Sequence, residues 1–513
     1  MAHERARRQM AVNITAAIVS FSVTMGINFF LTPYLVQQLG TEAYGFIGLA
    51  NNFVQYATII TAALNAMSGR FISIAYHRGE YAQASALFTS VLTADLIIAG
   101  MMMLLGAGVV TWVDVLLNIP AALVRTVQIT FSLTFLAYII SIITAVFTTA
   151  AYVKNRIDIS SIRDIAAHLL KAVFILLLFL VFPPKLYFVA LATVGSNLFL
   201  LAINVTVKKK ILPEIQVSFR QFEFPLVKTL IAAGIWMSLA QLGNTLVSGL
   251  DLLVCNLSVS ATMMGLMSIA KTIPGSIAVL INTIANVFSP KYTILYAKGN
   301  IPELVHEVKM TSRLQSFLLT VPIAGFIVFG EDFYRLWQPD KTALEISIIC
   351  VISVLSCVMY LFTSHTQALT MLNSVCNRMK LPVLVTLGVG FSSIALVIIC
   401  LNVCKMDETT AAYLIAGISS CLMSVRALVF IPVYAAHLLR QRWTTFYPML
   451  LRSLLTFVVV VLLFMMLRSL VTITNWFSLV AVCAVAAVFG YGLSLLLLFK
   501  RKELLHYLGQ RKP

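Results

Sequence analysis

Apolar runs of about 20 residues or more recur from Met10 to Phe499 with hardly a break. A helix needs roughly 20 predominantly apolar residues to cross the hydrocarbon core, and backbone groups there must be satisfied internally. A chain with this pattern is therefore forced into membrane-spanning helices. Composition agrees: 60% of residues are hydrophobic and 11% charged, against roughly a quarter charged in ordinary soluble domains, and the mean hydropathy is +0.95. We expect an all-α polytopic membrane protein with about fourteen spans, at 11–38, 43–69, 84–111, 121–150, 164–182, 186–207, 225–256, 262–289, 311–330, 343–374, 381–403, 409–439, 446–467 and 476–499. The longest link, near 290–310, is too short for a soluble catalytic domain.

The net charge of +17 invites a nucleic-acid reading until its distribution is examined. With alternate links assigned to alternate sides, the side that holds the N-terminus carries 28 of the 36 lysines and arginines. Among them are Arg5, Arg7, Arg8, Lys208, Lys209, Lys210, Arg440, Arg442, Lys500, Arg501 and Lys502. That bias is the positive-inside pattern. It places both termini in the cytoplasm, gives a multi-pass protein of the cytoplasmic (inner) membrane, and leaves no role for nucleic acid. The basic start MAHERARRQM precedes an apolar run too long for a signal-peptide core, so it reads as a retained first helix. The eight cysteines fall in or beside apolar spans without a C-x-x-C pair, which suits packing residues rather than disulfides or a metal site.

A shift of 220 residues aligns the sequence with itself. Tyr44-Gly45 falls on Met264-Gly265, and Tyr76-His77-Arg78-Gly79 falls on Tyr296-Ala297-Lys298-Gly299. Six spans per half, an even number, give both halves one orientation, as parallel repeats about an axis along the membrane normal. We expect an N-lobe at 1–215, a C-lobe at 216–440 and two accessory helices in 441–513. Polar residues follow the repeat. Ser20, Thr24 and Asn28 share a face of the first helix, matched by Asn244 and Ser248 of the seventh beside Gln241 and Asp251. Asn51, Gln55, Thr58 and Asn65 share a face of the second helix, matched in the eighth by Lys271 and, slightly offset, Asn282. Such stripes can glue helices together, but matching faces in two halves better describe a cavity between lobes. Gly40, Thr41 as N-cap and Glu42 mark a tight external hairpin after the first helix, and Pro33 is a candidate kink.

The stretch LTPYLVQQLGTEAYGFIGL resembles the first hairpin of bacterial polysaccharide flippases of the O-antigen transporter type, in the multidrug/oligosaccharidyl-lipid/polysaccharide superfamily. KNRIDISSIRDI is similar to the cytoplasmic lead into their fifth helix. The resemblance is concentrated in residues 13–80 and 150–175. It implies export of an undecaprenyl-pyrophosphate-linked oligosaccharide unit to the outer leaflet, for surface polysaccharide such as the O-antigen of lipopolysaccharide. Many such proteins have twelve helices; fourteen is a departure that the lipid II flippase branch shares, although its arginine-bearing first helix is not matched here.

Ionisable side chains inside a membrane cost roughly 2.5–3.5 kcal/mol each on insertion scales and need a partner or a purpose. Asp95, Arg125, Asp251, Lys271, His365 and Arg426 are the clearest, with Arg70 near the rim. Cations outnumber acids, which favours an anionic cargo such as a lipid pyrophosphate. The substrate-binding candidates are Lys271, Arg426, Arg125, Arg70, Asn28, Asn51, Asn244 and Asn282. Asp251 is a candidate for coupling to H+ or Na+, with a structural pair to Lys271 as the alternative. His365 lies off its helix's polar stripe and reads as a packing residue, and Asp95 has no assigned role. No nucleotide-binding, catalytic or metal motif is present, so neither cofactor nor enzyme activity is expected. The expected function is an alternating-access flippase. The alternatives are an ion-coupled small-molecule or multidrug exporter of the same superfamily, and a membrane polysaccharide polymerase or glycosyltransferase.

Overall fold

The computed structural model describes residues 2–404 and 406–499. The stretch with Lys500, Arg501 and Lys502 lies outside the described residues, as do the side chains of Arg5, Arg7 and Arg8. Fourteen helices among the described residues are long and apolar enough to cross a membrane. In chain order they are α1 (Ala2–Leu39), α2 (Thr41–His77), α3 (Tyr81–Thr111), α4 (Val124–Val153), α5 (Ile157–Val181) and α6 (Leu186–Ile211). There follow α7 (Phe224–Gly249) and α8, which runs Ala261–Ala270 and, after a turn at Lys271, Thr272–Ala297. The remainder are α9 (Ile301–Trp337), α10 (Ala343–Val375), α11 (Lys380–Val403), α12 (Glu408–Leu438), α13 (Tyr447–Ser469) and α14 (Trp476–Leu498). No strand occurs among the described residues. The protein is a multi-pass, all-α membrane protein.

Helix ends differ from the hydropathy reading. The supposed 290–310 link is almost entirely helical: α8 runs to Ala297 and α9 starts at Ile301. Charged residues such as Lys291, Glu303 and Glu307 end an apolar run without ending a helix, and Lys291 and Glu307 pair across α8 and α9 at 2.7 Å. At the first hairpin the N-cap of α2 is Gly40, in the left-handed region at φ 85°, and Thr41 is already helical.

The chain forms two compact units, residues 1–268 and 269–513. In the first, α2 packs on α3, α4 and α7, α4 on α3 and α6, and α5 on α1 and α6. Its core gathers Phe88, Val91, Ile142, Val146, Leu64 and Leu230. In the second, α9 packs on α10, α13 and α14, and α10 on α8 and α12. Phe329, Phe464, Leu319 and Val460 fill one of its cores.

The 220-residue repeat is visible in the backbone. Gly79 and Gly299 both take positive φ (77° and 69°) to end α2 and α8. Each turn closes alike, with Glu80 N donating to Ala75 O and Asn300 N to Leu295 O, at 3.0 and 3.1 Å. The repeat mates also touch within the first unit. Thr262 Oγ1 donates to Glu42 Oε1 at 2.6 Å, and these residues are 220 apart. Gly45 lies against Gly265, where an added Cβ would come within 2.8 Å of Gly265 Cα, and Gly48 lies against Ser268. Contact between each residue and its own equivalent is what a two-fold relation produces at its axis.

Candidate functional site

The first unit contains a polar groove between α2 and α4, closed on one flank by α7. One cavity of about 330 Å³ is lined by Thr58, Thr61 and Asn65 of α2, Tyr138 and Ser141 of α4, and Gln241 of α7. A second, of about 290 Å³, continues from Asn65 and Ala145 past Ser68 and Thr148 to Arg70 and Tyr152. Helical periodicity accounts for both walls. On α2, positions 58, 61, 65 and 68 advance by three, four and three residues and hold one face. On α4, positions 138, 141, 145, 148 and 152 do the same.

Close approach fixes α7 to this wall. Gly234 meets the Ala63 backbone, where any Cβ would collide with the carbonyl. One turn on, Ser238 Oγ accepts from Ala63 N at 2.9 Å, and the next turn presents Gln241 to the groove. Beyond it, α7 widens to a π turn at Thr245–Gly249. Asn52 Nδ2 and Tyr56 Oη of α2 both donate to Gly249 O, at 3.0 and 2.7 Å, satisfying a carbonyl left outside the regular ladder. Within the groove most hydroxyls are committed locally. Thr58 donates to Gln55 O, Ser68 to Asn65 O and Thr148 to Ala145 O, while Thr61 and Tyr138 share a hydrogen bond of 3.3 Å. Asn65 Oδ1 is buried without a protein donor, so the groove keeps an open acceptor. Arg70 supplies a cation at its rim. The arrangement suits polyhydroxyl or amide groups flanked by an anion.

The residues singled out by sequence are dispersed. Arg70 lines the groove and is exposed. Asn28 of α1, Asn51 of α2, Asn244 of α7 and Arg125 at the start of α4 are exposed on their helices. Asn282 Oδ1 accepts from Gln367 Nε2 of α10 at 3.0 Å. Three charged candidates sit at breaks in helical regularity. Asp251, buried, follows the π turn of α7; Lys271, half-buried, occupies the turn that divides α8; Arg426, half-buried, opens a π turn at Arg426–Phe430. Arg426 Nε is buried without a protein acceptor. His365 is 1% exposed, with Nδ1 3.0 Å from Ser364 Oγ.

Sequence reasoning missed the α4 face; it placed Gln241 beside the polar stripe of the seventh helix without choosing it as a site residue, and Gln241 lines the groove. A three-four spacing of Tyr, Ser, Thr and Tyr from 138 to 152 was the available signal. Lys171, inside the span expected at 164–182, was not singled out. With α5 beginning at Ile157, Lys171 lies about 21 Å along the helix at 1.5 Å per residue. Asp164, His168 and Lys171 therefore form an unforeseen ionisable stripe on one face of α5.

The chain is a multi-pass, all-α membrane protein, and its fold is similar to that of solved transporters of the MOP superfamily. No family model matches the chain. Among solved structures it is similar to the lipid II flippase MurJ in an inward closed conformation, with a TM-score of 0.67, 14% identity, and 97% of this chain and 99% of that chain covered. It is also similar to an inward-facing multidrug resistance MATE family transporter of that superfamily, with a TM-score of 0.65, 14% identity, and 82% and 94% covered. In sequence it is similar to the uncharacterized membrane protein EpsK of Bacillus subtilis (strain 168), at 26% identity over 495 residues and 96% of each chain.

Proposed function

We propose that the chain is a flippase that carries an undecaprenyl-pyrophosphate-linked oligosaccharide from the cytoplasmic to the outer leaflet by alternating access, for surface polysaccharide synthesis. The observation that carries this reading is the extent of the fold match. The lipid-flippase likeness spans 97% of the chain, whereas the MATE likenesses span 82% and 84%, so the added pair of helices sides with a lipid-linked cargo. The polar groove with its open acceptor supports a glycan, and the surplus of intramembrane cations supports a pyrophosphate. In this reading the lobes are 1–215 and 216–440, residues 441–513 are accessory, and both termini lie in the cytoplasm at the inner membrane. Lys271, Arg426, Arg125, Arg70, Asn28, Asn51, Asn244 and Asn282 contact cargo, and Asp251 couples transport to H+ or Na+.

Deleting the gene tests the proposal. Lipid-linked sugar units should accumulate on the cytoplasmic leaflet while surface polysaccharide falls, and a plasmid copy should restore both. Unchanged glycan export together with new sensitivity to cationic drugs would replace this reading with that of a small-molecule exporter.

A further inference from the structure

At one end of the second unit, the turn from α10 to α11 and the turn from α12 to α13 lie together. Both helices close in the same way on a left-handed residue, Asn377 at φ 52° and Arg440 at φ 53°. Arg378 N donates to Asn373 O and Gln441 N to Ala436 O, both at 2.8 Å. Tyr434 Oη of α12 donates to Arg378 O at 3.1 Å, which ties the α10–α11 turn to the last turns of α12. Beyond Arg440 the chain makes a 3-10 turn, Trp443–Phe446, that leads into α13. Phe446 is fully buried with Ala435, Ala436 and Leu439, and Tyr447 Oη donates to Leu428 O at 3.1 Å. The turn is thereby fixed, with Trp443 outside and edge-on to Tyr447, ring centroids 5.8 Å apart.

The side chains exposed here are of two kinds. Arg378, Lys380, Arg440, Arg442 and Arg452 are all exposed cations. No carboxylate accompanies them. Among the described residues after Glu345 the carboxylates are Asp407 and Glu408, beyond the opposite end of α11, about 36 Å away at 1.5 Å per residue. On the α8–α9 turn, at the same end, Glu307 is paired with Lys291 at 2.7 Å and Glu303 accepts from Asn300. Large apolar side chains stand beside the cations: Trp443 is 64% exposed, Leu451 60% and Leu381 48%. Leu381 follows Lys380 and Leu451 precedes Arg452, so charged and apolar surface meet within one residue. Tryptophan and tyrosine settle at the level of lipid head groups, and an arginine just inside a span reaches back to that level. A soluble acidic partner would match the charge but leave Trp443, Leu381 and Leu451 unmatched.

We infer that the α10–α11 and α12–α13 turns form one binding surface for anionic phospholipids, with the arginines and Lys380 on the phosphates and Trp443 among the head groups. The surface tethers the second unit to its leaflet. It depends on neither the cargo nor the direction of transport.

The test uses the full chain with Trp443 alone kept of its five tryptophans, the others being phenylalanine, in vesicles of phosphatidylcholine and phosphatidylglycerol. Lipid brominated on its acyl chains quenches an indole that it touches. Brominated phosphatidylglycerol should quench Trp443 more than brominated phosphatidylcholine at the same mole fraction. The preference should fade in about 1 M salt, where charges are screened beyond about 3 Å. Arg440→Gln with Arg442→Gln should lower it by up to about fivefold per arginine, whereas Lys209→Gln with Lys210→Gln in the first unit should leave it unchanged. Equal quenching by the two lipids would overturn the proposal. An equal fall in the variant at 209 and 210 would overturn it too, by assigning the effect to net charge. Quenching by aqueous iodide but by neither lipid would place the turns in water and replace the lipid with a soluble acidic partner. A melt of the unsubstituted chain in detergent reads the same surface without the tryptophan changes. Phosphatidylglycerol should raise the midpoint above that with phosphatidylcholine, and Arg440→Gln with Arg442→Gln should remove most of the difference; equal midpoints with the two lipids would count against the surface.

Discussion

Gly45→Ala is the smallest change that should separate the repeat mates α2 and α8. The new methyl would sit 2.8 Å from Gly265 Cα, where ordinary contact begins at 3.4 Å, a shortfall of 0.6 Å. The obstacle is backbone, not a flexible side-chain end, so the helices themselves must shift. Overpacking of this kind costs about 1–3 kcal/mol. If the contact forms in one of two alternating states, that cost shifts their ratio by about 5- to 150-fold. The readout is a short bifunctional thiol reagent bridging Glu42→Cys and Thr262→Cys, in a chain whose eight native cysteines are replaced. Bridging should be efficient in the parent that keeps Gly45 and should arrest lipid-linked glycan export until the bridge is cleaved. Adding Gly45→Ala should lower the bridging yield at least about fivefold at unchanged protein abundance. Equal bridging with and without Gly45→Ala would show that the contact has slack which the distances do not reveal. Full export in the bridged protein would refute the idea that the contact must part.

Arg426→Lys should retain part of glycan export and Arg426→Glu should abolish it, with Lys271→Glu behaving alike; full flux with Glu at both positions and normal abundance would rule out a cationic binding role. Gly234→Leu should destabilise the folded protein by about 2–4 kcal/mol, beyond a simple methyl insertion because the collision is with the Ala63 carbonyl, and a thermal melt in detergent checks it. Cysteine at position 407 should react with an impermeant reagent added outside intact cells, whereas cysteine at 209 should not; the reverse pattern would invert the topology. At Asp407, hydrogen bonds from the Thr410 hydroxyl and then the Thr410 backbone hold the carboxyl below its usual range. A depressed carboxyl stabilises above its unfolded value and loses that contribution as pH falls through the folded one. Acid should therefore fray the start of α12, and Asp407→Asn should remove that pH dependence in hydrogen exchange.

The number of helices was legible because hydrocarbon thickness imposes a length that hydropathy alone reveals. Their ends were not, because charge marks the edge of the membrane and not the end of a helix. Lys291 and Glu307 show this on α8 and α9. The α2 wall of the groove was readable from its polar period. The α4 wall was not, because Ser141 and Thr148 lie in a run that is apolar on average and acquire meaning only when Tyr138 faces Thr61. The 220-residue shift was plain in the letters, but no sequence pattern said that Gly45 and Gly265 would touch.

The contact between Glu42 and Thr262 also bears on how such a chain could arise. In an assembly of two identical copies, the residue beside the two-fold axis meets itself, and a glutamate there would face a second glutamate with like charge and no donor. Once the two copies are joined in one gene, each side can mutate alone. A threonine on the second half turns that repulsion into the hydrogen bond seen here. Gly45 and Gly265, which tolerate meeting their own kind, are alike. The seam thus separates a pair that a symmetric assembly could hold, Gly45 with Gly265, from pairs that only a joined chain can hold, Glu42 with Thr262 and Gly48 with Ser268.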